Sequence, residues 1–128
     1  GLVGSEMCIR DSIWSYYDDD FQTCYQNIIN DMETYKDVKG PKGKEGQPSN
    51  FFCISCVPWM DFTGYSTWVP TGRPNLFPII TFGKYVEEEG RRKLSAALTI
   101  SHASADGYHA SMFFERLQEV LDEFVIDQ

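Results

Sequence analysis

The sequence predicts an α/β chain, with strands lying between two helices. Two segments, one towards each end, carry apolar residues at spacings of three and four, the signature of amphipathic helices. Between them lie shorter runs of apolar and aromatic residues bounded by Gly, Pro and Asn, as strands are. Hydrophobic residues make up 42% of the 128 and aromatic residues 15%, which suffices for one packed core and not for two.

Residues 1–11 are punctuated by Gly and Ser without a clear period and read as a non-native leader, so the fold is argued from 12–128. Residues 12–35 are expected to be helical. Ser12 is a candidate cap, and Trp14, Tyr17, Phe21, Tyr25, Ile28, Ile29 and Met32 form one stripe. Asp18, Asp19 and Asp20 then fall in the first turns, where the helix dipole favours anions; three adjacent side chains fan around a helix, so a solvated face is expected there and no metal site. Residues 37–50, rich in Lys, Gly and Pro, form a loop. Residues 51–57 are a buried strand stopped by Pro58, and 61–75 are irregular, with aromatics suited to a pocket wall. Residues 76–86 and 91–102 are expected to pair as a hairpin around a turn at 87–90. Residues 106–124 form the second helix, with Phe113, Phe114, Leu117, Val120, Leu121 and Phe124 as its apolar stripe.

The formal net charge of −8 opposes general binding to phosphate backbones, so nucleic acid is not an expected partner. No apolar run is long enough to span a membrane, and the first ten residues lack the form of a secretory signal. The cysteines are Cys8, Cys24, Cys53 and Cys56. Cys53 and Cys56 lie three apart on a strand and therefore point to opposite faces, which disfavours a shared metal or a disulfide. Buried free thiols in a reducing, cytoplasmic setting are expected.

The stretch most able to do chemistry is Ser101-His102-Ala103-Ser104-Ala105-Asp106-Gly107. On the strand 91–102, His102 shares a side with Leu94, Ala96, Leu98 and Ile100 and is expected to be buried with them. A buried imidazole stays neutral near pH 7 and can accept a proton; a core histidine satisfied by a backbone carbonyl has the same placement. Asp106, at a strand-to-helix corner, is either an N-cap or one half of a buried ion pair that fixes the histidine loop.

Several blocks together resemble the C-terminal half of the type A chloramphenicol acetyltransferase family. His102-Ala103-Ser104-Ala105-Asp106-Gly107-Tyr108-His109 is similar to the family's His-x-x-x-Asp-Gly-Phe/Tyr-His signature. Leu76 to Tyr85 resembles its strand ending in Thr-x-Gly-Lys-Tyr. Phe51-Phe52-Cys53-Ile54-Ser55, followed by Pro58-Trp59 and Phe62-Thr63, resembles a third block, and Ile13-Trp14-Ser15 with Asp18-Asp19-Asp20-Phe21 a fourth.

The resemblance implies a CoA-dependent acyltransferase fold, an α/β fold with a mixed β-sheet flanked by helices, of which residues 12–128 would be the C-terminal part of a single domain. It implies transfer of acetyl from acetyl-CoA, a co-substrate, to the primary hydroxyl of chloramphenicol or a similar small molecule. It makes His102 the general base, Ser55 the oxyanion donor and Thr81 a helper through a bound water. Asp106 becomes structural, holding the histidine loop through an arginine. Trp59, Lys84 and Tyr85 fall near CoA, although Lys84 by itself reads equally well as a surface lysine. Tyr65, Thr67, Val69 and Ile79 fall near the acceptor. The resemblance also implies a homotrimer in which His102 of one chain faces the site holding Ser55 of its neighbour.

The match departs from the family in three places. Ser101 stands where a first histidine is usual. Residues 62–69 replace the usual run that reads the acceptor's ring. The N-terminal half, which would carry the arginine, lies outside this sequence, so the piece alone is expected to fold poorly or to be inactive. Two other functions use the same motif: acyl transfer to another acceptor, such as a lipoyl-type thiol or another alcohol, and a non-catalytic trimerisation or binding module.

Overall fold

The computed structural model describes residues 13–37, 44–65 and 77–124. In chain order these form α1 (Phe21–Thr34), β1 (Cys53–Cys56), β2 (Ile79–Glu88), β3 (Arg91–Thr99) and α2 (Gly107–Glu123). The fold is mixed α/β, as the sequence predicts. The sheet order is β1-β2-β3, with β1 parallel to β2 and β2 antiparallel to β3.

The β2–β3 hairpin runs further than its apolar residues suggest. Glu87 pairs with Arg92 and Glu88 with Arg91, so opposite charges stand across the ladder where a turn was expected. The chain reverses at Glu89 and Gly90, whose φ angles of 52° and 75° are those of the tight turn that matches strand twist.

The first helix starts later than expected. Asp20, not Ser12, is its N-cap: the carboxylate accepts the Thr23 N–H at 2.9 Å and the Thr23 hydroxyl at 2.7 Å. These bonds hold the Asp20 carboxyl below its ordinary range, and the aspartates precede the helix instead of occupying its first turns. A capping side chain that reaches back to its own backbone competes with helix, which is why the stripe beginning at Trp14 is cut here.

Residues 14–17 instead pack across α1. Trp14 and Ser15 are buried. Trp14 Nε1 donates to the Lys44 carbonyl at 3.0 Å, and the Lys44 ammonium lies 4.0 Å from the Trp14 ring centroid. Ser15 Oγ donates to Asp31 Oδ2 at 2.6 Å, and Lys44 Nζ to Asp31 Oδ1 at 2.8 Å. The result is a clasp that ties residues 14–17 and the segment after 44 to α1. An open depression of about 250 Å³ beside it is lined by Trp14, Tyr17, Pro48 and Phe51, among others.

In α2, Ala110, Phe113 and Leu117 are half-buried at helical spacing, but Val120, Leu121 and Phe124 are exposed. The expected stripe therefore has its second half uncovered among the described residues, apart from an edge contact of Phe124 with Phe21 at 4.8 Å. Cys53 and Cys56 face opposite sides of β1 and neither is in a disulfide. Burial pushes the Cys53 thiol up to about 11, whereas Cys56 is exposed, against the expectation that it is buried. No helix among the described residues is long and apolar enough to cross a membrane.

Candidate active site

Ser55 on β1 and Thr81 on β2 are direct partners in the parallel ladder, so their side chains lie on one face. Ser55 is 4% exposed and Thr81 1%. Neither hydroxyl has a hydrogen-bond partner among the described residues. Buried polar atoms are almost always paired, and leaving one unpaired costs about 1–3 kcal/mol. Two such hydroxyls stand side by side on the β1–β2 pair.

Two residues further along β2 the ladder breaks. Between the pairs Phe82–Ala96 and Tyr85–Leu94, Gly83 and Lys84 stand opposite Ser95 alone, a β-bulge. The bulge frees the Lys84 N–H, which donates to the Met60 carbonyl at 2.9 Å. The same segment is anchored by Val57 N–H to Phe82 O at 2.8 Å and by the Ser95 hydroxyl to the Asp61 carboxylate. A Cβ on Gly83 would sit 3.0 Å from Phe62 Cε1 and 3.1 Å from Met60 O, so only glycine lets the strap lie this close without displacement. Trp59, which precedes Met60 in the chain, Lys84 and Tyr85 are all exposed, and Arg92 lies 5.6 Å from the Tyr85 ring. Asp61 and Ser95, which tie this segment to the sheet, were not singled out from sequence, and Gly83 stood out only within the Thr-x-Gly-Lys-Tyr block.

His102 does not lie on the strand. β3 ends at Thr99, and His102 opens a turn at 102–104 in which the Ser101 carbonyl accepts the N–H groups of Ser104 (2.9 Å) and Ala105 (3.1 Å). Its side chain is exposed, so the expected burial with Leu98 and Ile100 is overturned. Strand alternation stops applying once the backbone turns, and Leu94 itself is 51% exposed.

Asp106 is the N-cap of α2. Its Oδ1 accepts the His109 N–H at 3.1 Å and lies 2.7 Å from His109 Nδ1. These two bonds, the backbone one first, hold the Asp106 carboxyl below its ordinary range. Both side chains are exposed, so the alternative of a buried ion pair does not hold within the described residues. No arginine or lysine among them pairs with Asp106.

Ile79, half-buried, opens β2 opposite Cys53, and Tyr65, half-buried, packs 5.6 Å from Phe62. Thr67 and Val69 lie outside the described residues. No cluster able to hold a metal ion occurs among the described residues.

The family model of chloramphenicol acetyltransferase matches residues 5–118. The chain belongs to the chloramphenicol acetyltransferase family. A chloramphenicol acetyltransferase of Bacillus pumilus is 39% identical over 129 residues, covering 98% of this chain and 59% of that protein. One from Clostridium perfringens is 36% identical over 113 residues, covering 88% of this chain and 52% of the other. A solved chloramphenicol acetyltransferase superposes with a TM-score of 0.67 at 24% identity over 92% of this chain and 53% of its own, which supports the fold. The chain thus spans between 52% and 59% of the length of these relatives.

Proposed function

We propose that the protein carrying this chain transfers acetyl from acetyl-CoA to the primary hydroxyl of chloramphenicol. The observation that carries this reading is the pair of unpartnered buried hydroxyls, Ser55 and Thr81, in a chain of this family. Acetyl-CoA supplies the thioester carbonyl when bound. His102 takes the proton from the acceptor hydroxyl as its oxygen attacks, and returns it to the departing sulfur. The new carbon–oxygen bond replaces the carbon–sulfur bond, and no acyl group passes to the protein. Ser55 Oγ, having no other bond to make, donates to the oxygen on which charge develops. Thr81 holds a water beside it. Trp59, Lys84 and Tyr85 take the nucleotide end of CoA, and Tyr65, Thr67, Val69 and Ile79 the acceptor.

An imidazole used as a base works best when shielded from water, yet the His102 side chain is open in a single chain. That exposure favours a homotrimer in which His102 completes a neighbour's Ser55 site. The expected setting is the cytoplasm, where acetyl-CoA is made.

The test is thiol release from acetyl-CoA by the full-length protein with chloramphenicol and a panel of other alcohols and thiols. Chloramphenicol is expected to be the best acceptor, and His102→Ala to lower turnover by about 10²–10⁴ while leaving assembly intact. Full turnover by His102→Ala, or by a demonstrated monomer, would overturn the mechanism; preference for another acceptor would overturn the substrate.

A further inference from the structure

We propose that His109 is a positioning residue that holds the His102 turn in place through Asp106. This inference rests on the function proposed above.

The His102 turn has two anchors. Ser101 closes one end: its carbonyl takes the Ser104 and Ala105 N–H groups, and its Oγ takes the Ala103 N–H at 3.3 Å. Asp106 closes the other, since its carbonyl accepts the Ala110 N–H at 3.1 Å and its side chain caps α2. The residues between them, 102–105, are few, so a shift of either anchor moves His102.

Each anchor joins a carbonyl bond to a side-chain bond, through the Ser101 hydroxyl at one end and the Asp106 carboxylate at the other. The ion-pair partner of that carboxylate among the described residues is His109. Asp106 Oδ1 takes two bonds from that residue, one from its N–H and one from its ring. An ionised carboxylate can only accept, so Nδ1 carries the hydrogen. The ring makes an edge contact with Tyr108 at 5.8 Å. The backbone bond survives any substitution at 109 other than proline. What the histidine adds is a second donor to Oδ1, which restrains the carboxylate's rotation.

The substitutions His109→Leu and His109→Asn separate these contributions, because the asparagine amide can donate from nearly the place of Nδ1 and leucine cannot. In the full-length protein, His109→Leu is expected to speed hydrogen exchange at Ala103, Ser104 and Ala105 by about fivefold, the reach of an exposed charged pair. It is also expected to lower kcat by a similar factor, with KM for acetyl-CoA and acceptor unchanged and the melting temperature nearly so. His109→Asn should restore both exchange and kcat. Unchanged exchange in His109→Leu, or failure of His109→Asn to rescue, overturns the proposal. If the unsubstituted protein transfers no acetyl group, the proposed function falls by itself, and the exchange rates still decide the role of His109.

Discussion

Two polar clusters lie inside this small fold, and they are finished differently. In the clasp on α1, every buried valence is used: Lys44 takes one oxygen of Asp31 and Ser15 the other, while Trp14 bonds the Lys44 carbonyl. In the sheet, Ser55 and Thr81 stand side by side with no partner among the described residues. A satisfied network fixes where segments go; an unsatisfied pair costs stability and leaves two hydroxyls free to bond something else.

Removing the Ser55 hydroxyl should give the largest effect. Ser55→Ala in the full-length protein is expected to lower kcat by about 10²–10³, the usual loss for one oxyanion donor. Its unfolding midpoint in urea should stay the same or rise, since the deleted atom had no partner. Thr81→Val, which keeps the shape, should likewise retain stability and cost about tenfold in kcat through loss of an ordered water. If either variant unfolds the protein, the hydroxyls are structural and the contrast is lost.

Lys44→Met should behave in the opposite way. The methionine can keep the stem on the Trp14 ring but strands Asp31 with Ser15 alone. Lys44 and Asp31 keep 16% and 19% side-chain exposure, so the cost is set below that of a fully buried pair, at about 2 kcal/mol. Urea titration measures it, and the kcat of the folded fraction should be unchanged. A normal midpoint with altered kcat would show that the clasp belongs to the site.

Most of the scaffold was legible in the sequence because its signals are local. The stripe of α2, its Asp106–Gly107 start and the hairpin all follow from spacing and turn chemistry. The start of α1 was misread because three adjacent aspartates fit a first turn and a cap equally well, and only the Thr23 bonds choose between them. The site was legible only in part. Ser55 could be named by resemblance, but its lack of a partner is a property of the folded surroundings. His102 was placed on the apolar side by counting along a strand that ends at Thr99, three residues too soon. The bulge at Gly83 and Lys84 left no periodic trace, since one extra residue shifts a ladder without changing composition.

The smallest effect compares the caps of the two helices. Asp20 caps α1 beside the clasp, and Asp106 caps α2 beside His102. Each carboxyl is held below its ordinary value of 3.8 in the folded state. A carboxyl depressed on folding contributes stability that is fully present above its unfolded value and is lost as the pH falls through the folded one. Helicity followed by circular dichroism should therefore be flat above about pH 4 and fall below it. Asp20→Ala and Asp106→Ala should each weaken that acid limb slightly and lower stability a little at neutral pH. Only Asp106→Ala should also reduce kcat, because only that cap anchors the turn carrying His102. Equal kcat in the two variants would mean that the turn holds its shape from the Ser101 end alone, and the division between scaffold and site would then have to be drawn inside the His102–His109 motif.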